Sequence, residues 1–182
     1  MAACGDLDFI GDTTLPTADL LILPLTSSAP VAPTATFFVF NDRVTTRRLL
    51  HADAFNSLYL EVRFPVGSLA TLNGNPLGPS DSVRVTLDPE PGGFGVTVSP
   101  NGLAFAAAAR PTATFVFAAY GDISIANGSS YGSPVAYAQA LALWYEVTPG
   151  RWRRVSGSAY TGNDAVAGTL ADPGTYLVAA PR

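Results

Sequence analysis

The chain has 182 residues, a formal net charge of −4, 48% hydrophobic and only 13% charged residues, ten arginines without a lysine, and one each of His, Cys and Met. That is one domain's worth of chain with room for a core. No lysine means no Schiff base and no P-loop lysine, one Cys with one His makes neither a zinc site nor an internal disulfide, a net-negative chain without a basic block does not point to nucleic acid, and no apolar run reaches the roughly 18 residues of a membrane span.

Met1-Ala2-Ala3-Cys4-Gly5 places small residues before the lone cysteine and a glycine after it. This resembles the lipobox of bacterial lipoproteins, whose cysteine is acylated after signal cleavage. Met1 stands where Leu is usual. The resemblance implies a lipid anchor at Cys4, a signal peptide upstream of Met1, and a cell-envelope address facing periplasm or exterior. A chain starting at Met1 would stay cytoplasmic. Residues 5–34 mix Asp6, Asp8, Asp12 and Asp19 with Thr, Ala, Pro16, Pro24, Pro30 and Pro33. That composition reads as an extended linker. Residues 1–34 are therefore expected to be a tether and 35–182 the folded domain. The run Leu20 to Leu25, broken by Pro24, fits an edge strand, where proline is tolerated. Asp6, Asp8 and Asp12 lack the closing Glu of a calcium loop, so they read as solvated charges. No metal and no cofactor are expected.

From Asn56 onward the chain reads as strands. Leu58, Leu60, Val62 and Phe64 alternate with Tyr59, Glu61 and Arg63, a period of two with one face buried. Val83, Val85 and Leu87 repeat the pattern, as do Phe94, Val96 and Val98. Phe115 with Phe117, and Ile123 with Ile125, predict two more strands. Leu141, Leu143, Tyr145 and Val147 predict another, and Tyr176 and Val178 the last. Turn signals separate them at Asn73-Gly74, Pro91-Gly92-Gly93, Asn101-Gly102, Asn127-Gly128, Pro149-Gly150 and Pro173-Gly174. Pro111 limits any helix over Ala106 to Ala109. The Ala/Leu-rich stretch from Ala136 to Trp144 suits a helix by propensity, while the alternation favours a strand from about Ala140. Short strands at this spacing predict an all-β fold, an antiparallel sandwich or barrel.

Four elements, in order, carry a family resemblance. They are Phe64-Pro65-Val66-Gly67-Ser68-Leu69, Val98 to Phe105 with Arg110-Pro111 after it, the hairpin of Ala142 to Glu146 and Trp152 to Val155, and Gly174 to Ala179. Together they resemble the ZU-type β-sandwich domain of ankyrins, netrin receptors and tight-junction scaffold proteins, over about Asn56 to Ala180. Ser68 stands where Ala is usual, and Ser99 where Gly precedes the proline. The resemblance implies an immunoglobulin-like β-sandwich with a non-enzymatic structural or interaction role.

Three groups of residues carry chemistry that a catalytic site could use. Gly128-Ser129-Ser130-Tyr131-Gly132 matches a nucleophile elbow, with a strand expected over 122–126 before it. The only His lies far upstream of Ser130, so the serine lacks its base, and a loop is the expected reading. His51 and Asp53 lie two apart, with Ser57 nearby. They read as a surface or hydrogen-bonded histidine with a polar neighbour rather than a triad. Glu61 and Glu146 are expected to face outward on strands, which does not favour a glycosidase pair. Trp144, Tyr145 and Trp152 with Arg151, Arg153 and Arg154 form the compact aromatic-basic cluster. Exposed, it would stack on a glycan and grip carboxylates; the expected reading is a Trp plugging the core under arginine stems. A Glu146–Arg153 cross-strand pair is expected there. The sequence thus points to an envelope interaction module, with a protein or glycan partner, and Trp144, Trp152, Arg151 and Arg153 as its candidate binding residues.

Overall fold

In chain order the strands are β1 (Leu15–Pro16), β2 (Leu20–Ile22), β3 (Ala35–Phe40), β4 (Thr45–Leu50), β5 (Leu58–Phe64), β6 (Leu69–Leu72), β7 (Asn75–Pro76), β8 (Ser82–Pro89), β9 (Gly95–Ser99), β10 (Leu103–Phe105) and β11 (Thr112–Val116). Helix α1 (Pro134–Ala140) follows, then β12 (Ala142–Thr148), β13 (Arg151–Arg154), β14 (Ala159–Gly162), β15 (Ala165–Thr169) and β16 (Gly174–Pro181). These come from a computed structural model that describes residues 13–182. Cys4, Asp6, Asp8 and Asp12 lie outside the described residues.

Every strand pair is antiparallel, and the fold is an all-β sandwich. The large sheet runs β1-β13-β12-β16-β9-β8-β3, with β2 added on β16. The second runs β14-β15-β11-β5-β4, and a small sheet runs β10-β6-β7. Alternation explains the layers. Val83, Val85 and Leu87 of β8, Val96 and Val98 of β9, Leu143 of β12, and Tyr176 and Val178 of β16 bury inward. Leu60, Val62 and Phe64 of β5, Phe115 of β11 and Val166 of β15 meet them in one core. Each such side chain contributes about 1.5–3 kcal/mol by leaving water. At Asn73-Gly74, φ values of +52° and +78° make the tight turn between β6 and β7, the backbone that Asn-Gly favours.

The structure departs from the alternation at four places. Residues Ile123–Ala126 form a 3-10 helix, not a strand, capped by the Asp122 carboxylate on the Ser124 amide. Helix α1 occupies the ambiguous Ala-rich stretch; the Ser133 hydroxyl accepts from the Ala136 amide and Pro134 opens the first turn. The following strand begins at Ala142, close to the expected Ala140. A hairpin of β14 and β15, not among the expected turns, turns at Asn163-Asp164, both at positive φ, with Gly162 before them also at positive φ.

The fourth departure is the N-terminal boundary. Leu15 pairs with Trp152, and Leu20, Leu21 and Ile22 pair with Pro181, Ala180 and Ala179. Leu20, Leu21 and Leu23 are buried. The edge-strand expectation for this run therefore holds, while the tether boundary at residue 34 moves back into the N-terminal segment. The apolar run outweighs the proline-rich composition around it, because β16 offers it both a hydrogen-bonding edge and apolar neighbours.

Candidate functional site

One end of the sandwich gathers four segments, 23–34, 51–57, 89–94 and 117–126. Backbone bonds tie them together. Pro24 bridges to Gly93 and Leu25 to Gly121. The Leu25 amide donates to the Gly92 carbonyl at 3.1 Å, Thr26 to Tyr120 at 2.8 Å, and Ala52 to Val31 at 3.3 Å.

Tyr59 is the keystone beneath them. Strict alternation predicts it outward, yet it is buried. The register slips where Leu49 faces Leu60 but Leu50 faces Leu58, a bulge that turns Tyr59 inward. Its ring stacks on Phe94 at 5.2 Å between centroids. Its hydroxyl lies 2.6 Å from the Gly95 carbonyl and 3.2 Å from that of Gly93, and it accepts from the Gly95 amide at 2.9 Å. A Cβ at residue 95 would come within 2.5 Å of Leu177 Cδ2 and 2.7 Å of the Tyr176 carbonyl, so this approach requires glycine. Burial, opposed by the Gly95 hydrogen bond and helped by the Glu90 charge, pushes the Tyr59 phenol up.

The 51–57 loop is organised by Asp53. One carboxylate oxygen accepts from the Phe55 amide at 3.1 Å and the Ser57 amide at 2.9 Å. The other accepts from the Tyr120 hydroxyl at 2.9 Å. Hydrogen bonds from the Ser57 side chain and backbone, then from Tyr120 and Phe55, outweigh desolvation and bring its pKa down to about 2. That bond to Asp53 raises the Tyr120 phenol. His51 is buried rather than at the surface. Its Nδ1 donates to the Pro30 carbonyl at 2.9 Å, and its buried Nε2 has no hydrogen-bond partner among the described residues. Its ring meets those of Tyr120, Tyr59 and Phe94 edge-on.

Asp53 therefore ties stability to pH with a definite sign. A folded-state pKa depressed from 3.8 gives stability that is present above about pH 4 and is lost as pH falls toward 2. In acid titration followed by amide exchange, the 51–57 loop is expected to open across this window. Asp53→Asn is expected to start with faster exchange at neutral pH and to lose the acid-dependent step.

Two clefts flank the 89–93 turn. One, of about 410 Å³, lies between the 25–32 segment and the turn, with Tyr59 in its wall. The other, of about 380 Å³, is lined by Ile22, Pro24 and Leu177 on the turn's opposite side. Glu90, Pro91 and Gly92 line both. Val31, 79% exposed, lines the first cleft, and Phe55, 88% exposed, lies on the 51–57 loop; these are the most exposed large hydrophobics among the described residues.

The sequence-predicted site residues lie elsewhere. Trp144 and Trp152 are 4% and 5% exposed, in a second apolar cluster with Leu20, Leu177 and Ala179 under Leu15 and Ile22. Neither presents a ring face, so the glycan platform is corrected. The arginines serve the chain itself. Arg151 donates to the Thr14 hydroxyl and carbonyl, Arg154 to the Ser158 carbonyl, and Arg153 stands half-buried opposite Tyr145. A bulge between Glu146 and Thr148 sets Glu146 opposite Trp152 instead of Arg153. Its carboxylate accepts from the Gly150 amide and closes that turn. Glu61 pairs with Arg48 on the other sheet, so the two glutamates are not brought together. Ser130 is exposed and follows the 3-10 helix, without the strand that a nucleophile elbow requires. Among the described residues no group of three His, Cys, Asp or Glu is placed to hold a metal, and no helix is long and apolar enough to cross a membrane.

Sequence reasoning missed this loop end because Tyr59, His51 and Glu90 are joined by a bulge and by backbone bonds of long range. The exposed Phe55 beside Asp53 was its one visible signal. Comparison with family models, with curated proteins and with solved structures found no match to this chain.

Proposed function

We propose that the chain is a non-enzymatic cell-envelope β-sandwich of the ZU type, lipid-anchored at Cys4, that serves as a protein-interaction module through its loop end. The observation behind the interaction role is the exposure of Val31, which lines the first cleft, and of Phe55, on the 51–57 loop that the Ala52–Val31 backbone bond joins to the same segment. Scattered surface apolar residues are ordinary. Two so exposed, on segments joined by a backbone bond, with the 51–57 loop fixed by Asp53 and Tyr120, offer a contact surface. The ZU-type reading draws support from β5 ending at the Pro65-Val66-Gly67 turn, with Gly67 at φ +71°, and from the β12–β13 hairpin followed by the closing β16.

The test is a photo-crosslinking residue in place of Phe55, in the chain expressed with its native upstream region. A discrete protein adduct is expected from position 55, and none from Asp42 in the turn at the far end of β3. Incorporation of a fatty-acid analogue is expected and should vanish in Cys4→Ser. Equal adducts at both positions, or none at either, remove the interaction role. An unlabelled chain removes the anchor.

A further inference from the structure

We infer that the clefts beside the 89–93 turn receive a lysine or arginine side chain, carried on an apolar segment of another protein, with Glu90 as its counter-charge. This rests on the loop end being an interaction surface and names the chemistry that surface selects. Glu90 is the only charged residue lining either cleft among the described residues. It is half-buried and lines both clefts. One carboxylate oxygen accepts from the Thr97 hydroxyl at 2.6 Å, which fixes the group. The second makes no hydrogen bond to the described residues, and the ion pairs Arg48–Glu61 and Arg43–Asp42 do not involve it.

The remaining walls are mostly apolar: Leu25, Val31 and Pro89 on one side, with Thr26 and Ser27 as neutral polar neighbours, and Ile22, Pro24 and Leu177 on the other. A fixed carboxylate with a free oxygen in such walls favours a cation and disfavours an anion, since like charges there are poorly screened. Lysine and arginine fit because their hydrocarbon stems lie along apolar surface while the head meets the charge. Exposed Val31, in the wall of the first cleft, provides contact for neighbouring apolar residues of the same segment. A second copy of this chain offers arginine but no lysine.

The experiment measures binding of three fluorescent valine-rich peptides to the full chain, identical but for a central lysine, norleucine or glutamate. The lysine peptide is expected to bind about tenfold tighter than the norleucine peptide, and the glutamate peptide weakest. Added salt should narrow the difference. Glu90→Gln is expected to erase the lysine preference without moving the melting temperature, because glutamine still accepts the Thr97 bond. Lysine and norleucine peptides binding alike, or a preference that survives Glu90→Gln, overturn the inference. So does hexylamine competing as well as the lysine peptide on a molar basis, since the site would then hold a free amine. If all three peptides bind alike and Val31→Ser weakens them, the cation assignment fails while the interaction surface stands. If none binds although position 55 crosslinks, the cation assignment alone fails; if position 55 gives no adduct either, both fail.

Discussion

Trp144→Ala is expected to lower the unfolding free energy by about 3–5 kcal/mol, read as a fall in melting temperature of roughly 6–20 °C for a domain of this size. The large cost follows from where the ring sits. Trp144 is outside the main core, on the outer face of the large sheet, where an alternating strand should show a polar residue. It is buried because the N-terminal segment lies against that face. Leu15, Leu20 and Ile22 pack on the cluster of Trp144, Trp152, Leu177 and Ala179. The indole nitrogen of Trp144 donates to the Ala179 carbonyl at 3.0 Å, and that of Trp152 to the Thr17 hydroxyl at 2.8 Å. Removing the ring leaves a void between a sheet and a strap that cannot close it from its own small residues. Residues 13–25 are then expected to become the first cut by protease in Trp144→Ala, at a rate well above that of wild type. A loss under about 1 kcal/mol, with the segment still protected, would mean that the pairing of β2 with β16 holds the strap without the tryptophans. The same experiment separates packing from a glycan platform, since an exposed sugar-stacking ring is removed at little cost to stability.

How much of this was legible beforehand depends on the kind of interaction. Strands β5, β8, β9, β12 and β16 could be read because one face of each lies against a core, and a period of two in the sequence is the direct imprint of that burial. The helix-or-strand ambiguity after Ala136 resolved at Ser133-Pro134, a cap and first-turn pair acting through backbone geometry rather than periodicity. What failed was whatever depends on a partner distant in sequence. Leu20 to Leu23 look like a small apolar island in a linker until β16, more than 150 residues later, is laid beside them. Ile123 and Ile125 have strand spacing, but the Asp122 side chain caps a 3-10 turn at that point. Trp152 and Arg151 suggested a ligand grip because side chains suited to ligands are equally suited to holding the protein's own N-terminal segment. The functional end was hidden for the same reason. Its residues come from four separate loops, and none of them forms a motif along the chain.

The bulge at Tyr59 shows this most clearly, and it can be tested at one atom. Tyr59→Phe is expected to cost about 1–3 kcal/mol, and Tyr59→Ala about 3–5 kcal/mol. Phenylalanine keeps the stack on Phe94 and the edge contact with Phe115. It removes only the hydroxyl, which serves both the amide and the carbonyl of Gly95. Leaving that buried amide unsatisfied is the main penalty. Hydrogen exchange at the Gly95 amide is therefore expected to accelerate in Tyr59→Phe more than at neighbouring β9 amides. The turn over 89–93 should loosen with it, and the preference for a lysine peptide should weaken, although Glu90 itself is untouched. The pH dependence has the opposite sign to that of Asp53. A phenol pushed up by burial from its ordinary value of 10.0 holds its stabilisation below that pH and loses it as pH rises further. Tyr137 and Tyr176, also buried, add to the same alkaline decline. Wild type is expected to lose stability steeply above about pH 10, and Tyr59→Phe less steeply, from a lower starting point. An unchanged Gly95 exchange rate in Tyr59→Phe would show that the turn is held from above, by Leu23 and Leu25, and that the tyrosine under it is ballast.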